Sequence, residues 1–139
     1  MNKLLLSELI LTFCLVTLIW IIQLVHYPSF SYYDATTFNE AMGFHQQRIS
    51  FIVMPLMLTE AALAGFLLSQ DRGLLNGLGL ALIAGIWLST FLLQVPLHQQ
   101  LLAGKDLAAI ERLVTTNWIR TGLWSLKGLL CLWKVSSGG

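Results

Sequence analysis

Four apolar stretches, residues 9–27, 49–69, 74–95 and 113–133, dominate this chain. Each matches the ~20 residues that carry a helix across a bilayer. Open strands cannot cross lipid, because their unpaired backbone groups find no water there. Spans of this length are therefore helices. Only 11% of the residues are charged and 56% are hydrophobic, against about 25% charged in a soluble domain. Such a chain cannot cover its outside with polar groups. The expectation is an all-α integral membrane four-helix bundle, running up-down-up-down as a single domain over residues 1–135. The small polar run at 136–139 is set apart as an appended tail. The N-terminal stretch reads as a retained span, since its apolar run exceeds the ~7–15 residues of a signal peptide and no A-x-A site follows.

The connections add detail. Pro28 is expected to stop the first helix. Thr37 and Glu40 form a T-x-x-E capping-box pattern, so the second helix should start near Phe38 and run inward through His45. Pro55 should kink it. "QDRG" at 70–73 makes a tight turn. Gly104 suits a helix end and Asp106 an N-cap, which starts the fourth helix near Leu107. Helices two and four thus extend outside the membrane on one side. Ala61 with Gly65, Gly73 with Gly77 and Ala81 with Gly85 permit close helix approach. Packing within one bundle is the favoured use, a homo-oligomer face the alternative.

Basic residues divide four and four between the two sides, with Lys3, Arg72, Lys127 and Lys134 on the terminal side. If Arg120 is held inside the bundle, the balance favours cytoplasmic termini. The net charge of +1 gives no argument for nucleic acid. Cys14 and Cys131 lie in apolar runs without CxxC spacing and read as small hydrophobes. Lys127 and Lys134 are expected to snorkel to the headgroups.

Alternating crossings bring the three histidines to one side. His26 ends span one, His45 and Arg48 precede span two, and His98 ends span three. Asn117 and Arg120 open span four. Gln23 and Gln94 share helix faces with His26 and His98. Glu60 lies deeper, within reach of the long Arg120 side chain, and a buried Glu60–Arg120 pair is expected because mid-membrane charges find partners. Three imidazoles with one open position would suit a catalytic transition metal such as copper, zinc or iron, and two on different helices could hold a haem. A metal-free pocket is equally open, with histidine moving a proton and arginine holding an anion. Aromatics at the same end, among them Trp20, Tyr27, Tyr33, Phe44 and Trp118, suit an interfacial belt.

At "VPLHQQL" (95–101) and "RLVTTNWIRTGLWSLKGLL" (112–130), with "HYPSF" near the end of span one, the chain resembles the anthrone-oxygenase-like family of small four-helix bacterial membrane proteins. The resemblance implies the same fold and places Pro96, Asn117, Arg120 and Thr121 at family positions. His98 stands where the family pattern has asparagine.

Three functions follow as expectations. The first is a membrane oxidoreductase or oxygenase-like enzyme acting on a small apolar or quinone-like substrate. Arg120, Asn117, Glu60 and His98 would be catalytic, and His26, His45, His98 and Arg48 would hold a cofactor. The second is a binding or transport module for a metal, haem or small lipophile. The third is a structural subunit whose polar cluster locks the helices together.

Overall fold

The computed structural model describes residues 2–137. Four long helical stretches make up the fold: α1 (Lys3–Tyr32), α2 (Phe38–Gln70), α3 (Leu74–Leu102) and α4 (Leu107–Ser136). No strand occurs among the described residues. The first three are long and apolar enough to cross a membrane. α4 has the length, at 30 residues, but Arg112, Arg120, Lys127 and Lys134 keep its mean hydropathy low.

Arg112 is exposed, but the other three charges turn inward. Leu113, Asn117, Arg120, Trp124, Lys127, Cys131 and Lys134 are all buried. They recur at alternating spacings of four and three, which is one stripe of a helix. α1 repeats the pattern with Leu5, Glu8, Thr12, Leu15 and Ile19. The apolar residues between them are turned outward, including Ile10, Ile21 and Leu24 on α1 and Leu126, Leu129 and Trp133 on α4. α4 packs chiefly on α1 and α3.

α1 does not stop at Pro28. Its helical stretch continues to Tyr32 after a widened turn over Ile22–His26, in which the Tyr27 N–H reaches back to the carbonyl of Ile22. α3 does the same before Pro96, over Thr90–Gln94, with the Val95 N–H on the Thr90 carbonyl. A proline cannot donate to the carbonyl four residues back and its ring crowds that carbonyl. One extra residue in the preceding turn absorbs both problems.

α2 starts at Phe38, as the sequence suggests, but Thr37 makes no side-chain capping bond. Thr36 instead bonds Asp34 through its N–H and hydroxyl, so the turn before the helix consumes the local polar groups. Asp106 does cap α4, accepting from the N–H groups of Ala108 and Ala109 at 3.0 and 3.1 Å. The Ala109 N–H in particular holds its carboxyl below the usual range. Lys105 donates to the carbonyls of Ser31 and Tyr33 at 2.8 and 2.6 Å, which ties the α3–α4 connection to the end of α1. Among the small residues, Gly85 lies close against Leu123 of α4, whereas Gly65 and Gly77 face open space.

Candidate functional site

The widened turns deliver polar side chains inward. On α1, Gln23 and Tyr27 are buried and His26 half-buried; on α3, Gln94 is buried and His98 half-buried. α4 meets them with Asn117, Arg120 and Thr121. Asn117 donates to the Gln23 side-chain oxygen at 2.9 Å and Thr121 donates to the same atom at 3.2 Å. Gln23 spends its amide N–H on the Val114 carbonyl. Asn117 is thereby turned so that its own oxygen accepts from Arg120 Nε at 2.9 Å and from Nη2 at 2.5 Å.

Arg120 also donates to the Tyr27 hydroxyl at 3.0 Å and to the Thr90 hydroxyl at 3.4 Å. All of these acceptors are neutral. Among the described residues Arg120 has no carboxylate partner, and of its five N–H groups one on Nη1 is left over. The expected Glu60–Arg120 pair is therefore absent. Glu60 Oε1 lies 3.3 Å from Lys127 Nζ and accepts from Thr12 at 3.1 Å, and Oε2 accepts from Trp124 Nε1 at 3.1 Å. Lys127 does not snorkel either. It also contacts Glu8 at 3.3 Å and Thr12 at 2.8 Å, while Lys134 contacts Glu8 at 2.6 Å. Two carboxylates and two ammonium groups thus neutralise each other between α1, α2 and α4. Lys127 meets the carboxylates because the buried stripe of α4 that carries it faces the α1 stripe of Glu8 and Thr12, and the amphipathic pattern of α4 is the signal for that.

Arg120 opens instead onto a cavity of about 130 Å³. Tyr27, Thr90, Gln94 and His98 line it beside Arg120; Leu15, Ile19, Met57 and Trp124 supply apolar wall. Ser50, Met54 and Val95 are exposed members of the same lining, so the cavity is open between α2 and α3. A second, larger groove lies between α1 and α2, with His26, His45, Arg48 and Glu40 at its polar part. It shares Leu18, Ile22 and Ile49 with the cavity. Arg48 lies over the Phe44 ring at 5.3 Å, away from the cavity lining.

The three histidines do come together. His26 Nε2 and His45 Nδ1 are 2.5 Å apart, and the His45 and His98 rings are 5.9 Å apart at their centroids. His98 Nε2 is 3.0 Å from the Tyr27 hydroxyl. They do not present a common ligand set. Two of their nitrogens are turned on each other and a third on Tyr27, and no group of three or more His, Cys, Asp or Glu side chains among the described residues is placed to hold a metal. The residues present therefore do not fit a resident metal ion. The Arg120 cavity is too small for haem, being close in size to one that takes up a single benzene ring, roughly 150 Å³.

Of the expected aromatic belt, Trp20, Phe44 and Trp118 are exposed, Tyr33 lines the groove and Tyr27 lines the cavity. Cys14 is exposed; Cys131 is buried and lies 3.7 Å from Thr12 and from Lys127. No family model, curated protein or solved structure matches the chain.

Proposed function

We propose that the chain is an integral protein of a bacterial inner membrane, crossing it up-down-up-down, and that it binds a small single-ring lipophile by an oxygen atom at Arg120. Support for the crossing comes from the reversed pattern of α1 and α4, with charges inside and leucines outside. Lipid satisfies that pattern and water does not.

The observation that carries the pocket reading is the Arg120 guanidinium, buried without a carboxylate on the wall of a mainly apolar cavity. A charge so placed costs at least ~2.5–3.5 kcal/mol on insertion scales. A negative oxygen on a ligand completes it. The size of the cavity selects one ring, so the ligand class is a quinone, phenol or aromatic acid, with any chain leaving past Ser50 and Met54. The activity we propose is oxidoreductase or oxygenase-like. Arg120 stabilises charge that develops on the substrate oxygen, because a fixed donor in a dry site acts more strongly than water. Asn117 holds Arg120 in position. Tyr27 and His98 move the proton. Glu60 has no part in this pocket beyond its bond to the Trp124 wall. A carrier for the same lipophile is the second reading, favoured by the groove that shares three wall residues with the cavity. It differs in predicting binding without chemical change to the ligand.

4-Nitrophenol tests the pocket, because its colour reports its own proton. Bound to protein in mild detergent, it should ionise at a pH about one unit or more below the free dye, as an acid beside a cation does. Arg120→Gln should remove the shift and Arg120→Lys keep part of it. An unshifted titration in the unsubstituted protein, or an equal shift in Arg120→Gln, overturns the reading.

A further inference from the structure

We propose that Tyr27, His98, His45 and His26 form a proton path that links the Arg120 cavity to the groove between α1 and α2. Tyr27 accepts from Arg120, so its own O–H is free to donate to His98 Nε2. That fixes neutral His98 as the tautomer with its proton on Nδ1, since a neutral imidazole has one donor and one acceptor. His98 Nδ1 is buried and has no partner. On the facing ring, His45 Nε2 is buried and has no partner either. Only three buried side-chain nitrogen or oxygen atoms among the described residues lack a hydrogen bond, and these are two of them. Buried polar atoms are nearly always paired, so two orphans on neighbouring rings call for a joint explanation.

A donor on His98 and an acceptor on His45 supply it. A small ring turn or one bridging water closes the gap between them. From His45 the path continues through Nδ1 to His26 Nε2, and His26 lines the groove. Every donor then points the same way, from Arg120 outward. Tyr27 gives its proton to His98 Nε2, His98 releases its Nδ1 proton to His45 Nε2, His45 releases its Nδ1 proton to His26 Nε2, and His26 releases its own Nδ1 proton to water in the groove. Tyr27 regains a proton from the ligand, and ring turns reset the tautomers. Run backward, the same path protonates a ligand oxygen. The remaining charged groups facing these rings are Arg120 from α4, on the cavity side, and Glu40 and Arg48 of α2, on the groove side.

The purpose of the proton rests on the pocket reading; its route does not. The test therefore uses no ligand. Tyr27 is replaced by nitrotyrosine, whose absorbance reports its protonation, and the protein in detergent is given a rapid pH jump. His45→Phe keeps the ring volume and removes both nitrogens. It should slow protonation of the reporter by about a hundredfold, the lower end of what positioned proton transfer contributes. His45→Gly should be equally slow and should recover when free imidazole is added. A rate unchanged by His45→Phe overturns the path, because protons then arrive by the open side at Ser50 and Met54. Slowing that imidazole fails to rescue overturns it too, by making His45 a packing residue. A failed nitrophenol titration with a positive result here would remove the ligand class and leave the path standing.

Discussion

At the level of single residues, the chain separates two kinds of buried charge. Arg120 has only neutral acceptors. Glu8, Glu60, Lys127 and Lys134 satisfy one another, with Thr12 and Trp124 filling the remaining positions around Glu60. Removing one member of such a group leaves a buried charge without a partner, which costs about 3–5 kcal/mol, whereas removing a pair together is often close to neutral. Glu60→Gln should therefore lower thermal stability in detergent clearly. Lys127→Met in the same chain should recover most of the loss, because the Glu8–Lys134 contact remains balanced. Thermal unfolding of the two single variants and the double variant measures this. Additive losses would show that the two side chains do not act as a pair. Arg120→Gln should behave differently and leave stability nearly unchanged, since no carboxylate loses its partner.

At the level of elements, the decisive features are the widened turns before Pro28 and Pro96. They explain why α1 runs past Pro28, where a proline alone predicts a stop. An extra residue in the turn lets the helix pass the proline. The spacing of the site is kept across the wide turns, because Gln23 with His26 and Gln94 with His98 still face inward. Pro96→Ala tests the turn. It restores an N–H that can bond the carbonyl four residues back, and the ordinary turn then competes with the wide one. A slip of one residue rotates everything beyond it by about 100°, which would carry His98 out of the cavity. The expected result is weaker 4-nitrophenol binding with unchanged helicity by circular dichroism. Full binding would mean that packing, and not the proline, holds the wide turn. What the sequence could not reveal was partner choice inside the bundle. Arg120 and Lys127 lie two turns apart on the same stripe of α4, about 10 Å along its axis, and only the axial setting of α4 against α1 and α2 decides that Lys127 meets Glu60. The polar stripe at alternating spacings of three and four was visible in Asn117, Arg120, Lys127 and Lys134, and it argued against snorkelling lysines.

At the scale of the whole molecule, the proposed crossing follows from which residues face out. A soluble bundle turns leucines inward and lysines outward. Here Leu126, Leu129 and Trp133 are exposed while Lys127 and Lys134 are buried, on a helix whose composition alone is too polar to count as a span. Lys127 and Lys134 are paired with Glu8 of α1 and Glu60 of α2, so α4 can enter lipid with these charges neutralised only when packed on α1 and α2. The end of α1 and the α3–α4 connection meet through Lys105, and an even number of crossings must put them on one side. Single cysteines at positions 34 and 105, in a chain carrying Cys14→Ser and Cys131→Ser, should react with a membrane-impermeant maleimide from the same side of sealed vesicles. A cysteine at position 71, in the α2–α3 turn, should react only from the other side. Native Cys14, exposed on α1 but within its apolar stretch, should resist the reagent from both sides and react once detergent replaces the bilayer. Labelling of 34 and 105 from opposite sides, or of Cys14 in intact vesicles, would break the crossing scheme.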